Sequence, residues 1–161
     1  MRILESRPLN GETGHSAGRK LLRQLVEDYT GQPMPEIYVE KLGKPYFLGN
    51  PVYFSISHTK KRVFCVLSDR PVGLDAEELT REVNPKLAEK VLSPAEYAQY
   101  AKAQDKNRAL LTFWVLKEAA AKCTGRGLQG YPNQTNFSLD DPRVTEKDGC
   151  LIAVMEEEYA F

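Results

Sequence analysis

The sequence predicts an α+β fold of two similar halves, each a small antiparallel sheet packed with helices. Three observations carry this reading. The pattern runs helix–strand–strand–strand, then strand–helices–strands. Turn residues punctuate it at short intervals, and no low-complexity linker divides it. At 161 residues, 42% hydrophobic and 27% charged, the chain is long enough to bury a core. The halves are expected over residues 1–72 and 73–161.

The elements follow in order. Leu21, Leu22, Leu25, Val26 and Tyr29 recur at helical spacing within residues 15–29, and Gly31 and Pro33 stop that helix. Residues 36–39 read as a short strand, followed by a turn or loop at Gly43-Lys44-Pro45. Residues 53–57 alternate, with Phe54 and Ile56 on one face. Lys60-Lys61-Arg62 is a hairpin turn. Residues 63–67 are nearly all apolar and predict a central strand. Along 72–77, Val72, Leu74 and Ala76 share one face, and Gly73, Asp75 and Glu77 the other. Asn84-Pro85 and Ser93-Pro94-Ala95-Glu96 open helices, the second with a capping box. A long helix is predicted over 105–124 with Gly125 as its stop. Short strands are expected within 136–154, around turns at 140–143 and 147–149.

Bulk properties narrow the function. No apolar run reaches the length of a membrane span, and the N-terminus lacks the pattern of a signal peptide. A cytoplasmic protein is expected, with no membrane and no nucleic-acid partner. Cys65, Cys123 and Cys150 are widely spaced and suggest neither a disulfide frame nor a zinc site. The formal net charge is zero, yet residues 1–72 carry 11 Lys/Arg against 7 Asp/Glu, and residues 73–161 carry 11 against 15. That asymmetry would suit a polyphosphate gripped on one side and metal-bridged on the other; taken by itself, complementary packing of the halves, or no role at all, is the plainer explanation.

The chemistry-bearing residues sit at structured positions. Asp75 and Glu77 lie two apart on one strand, so both carboxylates point to one side and need a compensating charge. Hard oxygen pairs suit Mg²⁺; the plainer alternative is a solvated strand face. Glu118 follows the apolar run Leu110 to Leu116, so it is expected on a mostly buried helix. There it could ligate metal, act as a base, or simply pair with Lys122 one turn on. Lys117 points elsewhere and is expected at the surface or against a partner. His58, after Ser57, and Lys44 could each meet a phosphate, or be ordinary loop residues. His15 and Ser16 open the first helix, where backbone N–H groups can receive an anion. Phe113 and Trp114 are expected in the core.

Together these motifs resemble the 4′-phosphopantetheinyl transferases, particularly the surfactin-synthetase-activating type. The resemblance rests on Gly43-Lys44-Pro45, Phe54-Ser55-Ile56-Ser57-His58, Gly73-Leu74-Asp75-Ala76-Glu77 and Trp114 through Lys117-Glu118 to Lys122, with Gly125-Arg126-Gly127-Leu128 continuing it. It implies a pseudo-dimeric fold and the transfer of a phosphopantetheine arm from coenzyme A to a serine of an apo acyl or peptidyl carrier protein, releasing 3′,5′-ADP. It implies Mg²⁺ or Mn²⁺ among Asp75, Glu77 and Glu118, Glu118 as base, and Lys122 offsetting pyrophosphate charge. It places coenzyme A against Lys44, Ser57, His58, Asp75 and Lys122, with His15 and Ser16 at the first helix. Lys86, Lys90, Lys102, Lys106 and Arg108 would meet the acidic carrier, and the enzyme is expected to be a monomer. Ser55 stands where that family has Asn, and Val115 where it has Ser or Thr. The second sheet is expected to be smaller or completed by another subunit. The rival readings are a non-catalytic coenzyme A or carrier-binding module and, more remotely, an unrelated metal-dependent phosphodiesterase.

Overall fold

The computed structural model describes residues 2–49, 51–125 and 136–157. In chain order the elements are β1 (Arg2–Pro8), α1 (Gly14–Thr30), β2 (Ile37–Val39), β3 (Pro45–Phe47), β4 (Tyr53–His58), β5 (Arg62–Ser68), β6 (Val72–Glu78), α2 (Leu87–Val91), α3 (Pro94–Lys102), α4 (Lys106–Thr124), β7 (Val144–Lys147) and β8 (Cys150–Glu156).

Two antiparallel three-stranded sheets, β1-β5-β4 and β6-β8-β7, form the centre, and β2 pairs with β3 in a hairpin of their own. Both three-stranded sheets share one logic: the first strand pairs with the last, and the last with the one before it. The second sheet, expected to be smaller or completed by another subunit, has as many strands as the first.

Alternation along the strands sorts the side chains into layers. Phe54, Val63, Cys65 and Leu67 face α1, where Leu21, Leu22, Leu25 and Val26 meet them. Phe64 and Val66 on the opposite face pack against Val72, Leu74, Ala76, Ile152 and Val154 of the second sheet. The far face of that sheet, Leu151, Ala153 and Met155, packs on Leu111, Val115, Leu116 and Ala119 of α4. The order of layers is helix, sheet, sheet, helix. Burying Leu, Val and Phe in these layers contributes about 1.5–3 kcal/mol per side chain.

Local chemistry fixes the ends. Thr13 caps α1 by accepting from the Ser16 N–H, and Gly31 closes it in the left-handed conformation. Ser93 and Glu96 form the full capping box of α3. Asp105 caps α4 by accepting from the Arg108 N–H, and Gly125 ends it. Asp148 and Gly149, at φ 52° and 76°, make the two-residue turn between Lys147 and Cys150.

Three further expectations need correcting. β1 and β3 went unanticipated: β1 pairs an apolar Ile3-Leu4 with the polar Glu5-Ser6-Arg7, which hides the alternation of an edge strand. Tyr29 is half exposed rather than on the buried face of α1. Lys117 is not at the surface. Its ammonium lies 2.7 Å from Glu96 Oε1, with both side chains almost sealed from water. A helix apolar nearly all round gives no periodic cue to which polar residue turns inward, and Glu96 on α3 supplies the counter-charge that burial requires.

Candidate active site

The site begins at the seam between β4 and β6. β6 is an edge strand of its sheet, so its outward N–H groups need acceptors from elsewhere. Ser55 and Ser57 of β4 supply them: Ser55 Oγ accepts from the Leu74 N–H at 3.0 Å, and Ser57 Oγ from the Ala76 N–H at 3.1 Å. The Ser57 hydroxyl also donates to Asp75 Oδ1 at 3.4 Å. The serine at position 55 thus has a structural task.

The other face of β6 lies hard against α4. A Cβ on Gly73 would fall 2.0 Å from the Ala119 carbonyl oxygen and 2.4 Å from the Cys123 nitrogen, so only glycine allows this approach. The closeness brings Lys122 to Asp75: its Nζ donates to the Leu74 carbonyl at 3.0 Å and lies 3.3 Å from Asp75 Oδ1. Asp75 is 7% exposed. Its second oxygen, Oδ2, is buried and accepts no hydrogen bond.

Burial pushes the Asp75 carboxyl up to about 7; Lys122 opposes the shift, while Glu77 and Glu118 add to it. Glu118, half-buried on α4, is also raised, first by burial and then by Glu77, against the pull of Lys122 and Arg81. These couplings bring the three acids into one electrostatic group. They do not make a closed cage: among the described residues no three His, Cys, Asp or Glu side chains form a ready-made metal cluster. Glu77 is paired with Arg81, its Oε1 2.5 Å from Arg81 Nη1. The donor set nevertheless fits a hard divalent cation, because Asp75 Oδ2 is an orphaned oxygen beside two further carboxylates.

Two openings reach two of these acids, one at Glu118 and the other at Glu77. A cavity of ≈ 390 Å³ is lined by Lys44, Phe54, Ile56, Glu118, Ala121 and Lys122. A cleft of ≈ 760 Å³ is lined by His58, Lys60, Glu77 and Arg81 among others. Lys44 lies on the turn into β3 and donates to the Cys123 carbonyl at 2.5 Å, closing the C-terminal end of α4. His58 ends β4 exposed, its ring against Gly14: a Cβ there would lie 2.2 Å from the His58 ring carbon Cγ. That contact puts His58 at the opening of α1. Ser16 is bonded within that turn, its N–H to Thr13 and its hydroxyl to Glu12, and His15 beside it is exposed. Phe113 is in the core and Trp114 packs partly buried beside it. Residues 126–128 of the Gly-x-Gly-Leu motif lie outside the described residues.

Sequence reading missed Arg81 and Asn107. Asn107, in the first turn of α4, accepts from the Val83 N–H at 2.7 Å and donates to the Arg81 carbonyl at 2.8 Å. It pins the loop after β6 and so holds Arg81 beside Glu77. Nothing in the local sequence marks either residue.

The family model of the 4′-phosphopantetheinyl transferase superfamily matches residues 71–154, a span that includes Asp75, Glu77, Glu118 and Lys122. This chain belongs to that superfamily. It is 32% identical over 115 residues to the 4′-phosphopantetheinyl transferase gsp of Aneurinibacillus migulanus, covering 69% of this chain and 48% of that protein. It is 31% identical over 134 residues to the transferase psf-1 of Bacillus pumilus, covering 80% and 57%. With the transferase AcpT of Salmonella typhi it shares 36% over 115 residues, covering 68% and 57%. As a 4′-phosphopantetheinyl transferase superfamily member, the chain thus spans about half the length of these curated relatives. No helix among the described residues is long and apolar enough to cross a membrane.

Proposed function

We propose that this protein moves the 4′-phosphopantetheine arm of coenzyme A onto a serine hydroxyl of an apo acyl or peptidyl carrier protein, releasing 3′,5′-ADP. The observation that carries the reading is Asp75: buried at the seam of the two sheets, tied to Ser57 and Lys122, with one oxygen unsatisfied.

Bound Mg²⁺, or Mn²⁺, would be held by Asp75, Glu77 and Glu118 and would neutralise the pyrophosphate oxygens. The rest falls to the chain's own groups. Glu118, whose proton affinity is raised by burial, takes the serine proton directly or through one water. The serine oxygen bonds to the phosphorus on the pantetheine side, the bond from that phosphorus to the bridging oxygen breaks, and 3′,5′-ADP leaves. Lys122 offsets the charge growing on the leaving group. Lys44 exchanges the Cys123 carbonyl for a coenzyme A phosphate, and His58, with His15 and Ser16 at the opening of α1, holds the others. Ser57 keeps Asp75 in place.

The shared strand order of the two sheets supports a pseudo-dimer of halves 1–72 and 73–161, and we read the protein as a monomer. Lys86, Lys90 and Lys102 are exposed and face an acidic carrier. Lys106 and Arg108 are partly engaged at home, Lys106 on the carbonyls ending α3 and Arg108 on Glu146. The reaction places the protein in the cytoplasm with its coenzyme A.

The test is incubation with Mg²⁺, coenzyme A and a panel of apo carrier proteins, followed by intact-mass measurement. One carrier gaining one phosphopantetheine arm is the expected result. No gain on any carrier, with tight coenzyme A binding indifferent to Mg²⁺, would favour the binding-module alternative.

A further inference from the structure

Glu77 is oriented by a residue that plays no part in the transfer described above. Arg81 Nη1 sits 2.5 Å from Glu77 Oε1, and the Arg81 backbone is clamped to α4 through Asn107. The guanidinium is thus presented to the acids by a fixed loop, while its side chain remains 47% exposed and can swing into the ≈ 760 Å³ cleft it lines. Behind it, Asp75 Oδ2 is buried and unpartnered. Three acids side by side repel one another unless a positive charge stands among them.

We propose that Arg81 is a displaceable counter-cation: it takes Glu77 in the cation-free protein and must release it before a divalent ion can draw Glu77 together with Asp75 and Glu118. The inference rests on the reading of those acids as the cation site. Two arrangements follow. In one, Arg81 holds Glu77 away from its neighbours. In the other, Glu77 turns to the cation and Arg81 stands free at the mouth of the cleft. The ion pair lowers the apparent affinity by the fraction of molecules in the first arrangement. A partly exposed pair of this kind corresponds to a shift of about 1.5- to fivefold.

The experiment is a titration of the full chain with Mn²⁺ alone, read by electron paramagnetic resonance of the free ion. Wild type, Arg81→Ala, Arg81→Gln, Arg81→Lys and Asp75→Asn are compared, with folding checked by melting in EDTA. Arg81→Ala and Arg81→Gln should bind Mn²⁺ about 1.5- to fivefold more tightly than wild type, Arg81→Lys should stay near wild type, and Asp75→Asn should lose binding. The Mn²⁺-induced rise in melting temperature should be larger in Arg81→Ala than in wild type. Equal or weaker binding in both neutral Arg81 variants, with binding lost in Asp75→Asn, overturns the role given to Arg81 and leaves the proposed transfer standing. Undiminished binding in Asp75→Asn overturns the cation site itself.

Discussion

The ammonium of Lys117 and the carboxylate of Glu96 meet at 2.7 Å in a place almost closed to water. Glu96 also accepts from the N–H groups of Ser93 and Phe137, and the Lys117 ammonium lies 5.8 Å from the centre of the Phe137 ring. One buried pair thereby joins α3, α4 and the segment leading to β7. Lys117 sits one residue before Glu118 on α4.

Breaking the pair should be costly. Lys117→Met leaves Glu96 charged and short of its counter-ion, and a loss of about 3–5 kcal/mol is expected in urea unfolding. Restoring neutrality with Glu96→Gln in the same chain should recover part of the loss. A single-variant loss below about 1 kcal/mol would show that the pair does not hold these elements together.

Gly73→Ala tests the approach of β6 to α4. The added methyl would overlap the Ala119 carbonyl and the Cys123 nitrogen, both backbone atoms that cannot step aside cheaply. About 1–3 kcal/mol of destabilisation is expected, with a lower transfer rate as Asp75 moves from Lys122. Unchanged melting would contradict the packing described.

Gly14→Ala probes His58 without replacing it. The new methyl would displace the exposed His58 ring rather than backbone. Stability should change by no more than about 1 kcal/mol, while KM for coenzyme A rises and kcat changes less. An unaltered KM would remove His58 from the phosphate site.

Asp75 makes stability depend on pH when no divalent cation is present. Its folded pKa, raised to about 7, lies above the ordinary 3.8, so between those values the native state holds a proton that the unfolded chain has lost. The stability it contributes is complete below about 3.8 and is lost as pH rises through about 7. In EDTA, wild type should lose more stability than Asp75→Asn between pH 5.5 and 8.5. With Mn²⁺ present the trend should oppose this, because binding needs the carboxylate. Parallel curves for both proteins in EDTA would contradict the assignment.

Much of this arrangement was readable from residue order because it is locally encoded. The capping box at Ser93 and Glu96, the Gly125 stop, and the two faces of β6 each follow from a few neighbouring side chains. That Asp75 and Glu77 leave the same side of β6 follows from strand geometry alone. What Asp75 meets there does not: Ser57 comes from another sheet, and Lys122 reaches it only because Gly73 lets α4 close in. Lys117 was misplaced for the same reason, since its partner lies on α3. Arg81 was invisible because its position depends on Asn107, 26 residues away.

The measurement that bears most directly on the account is the initial rate of carrier mass gain for Glu118→Gln beside wild type, at saturating coenzyme A and Mg²⁺, with the variant's fold confirmed by circular dichroism. Loss of the proton acceptor and of one carboxylate predicts a fall of at least about 100-fold. A folded Glu118→Gln protein that charges its carrier at close to the wild-type rate would contradict the role of Glu118 and the site built around it.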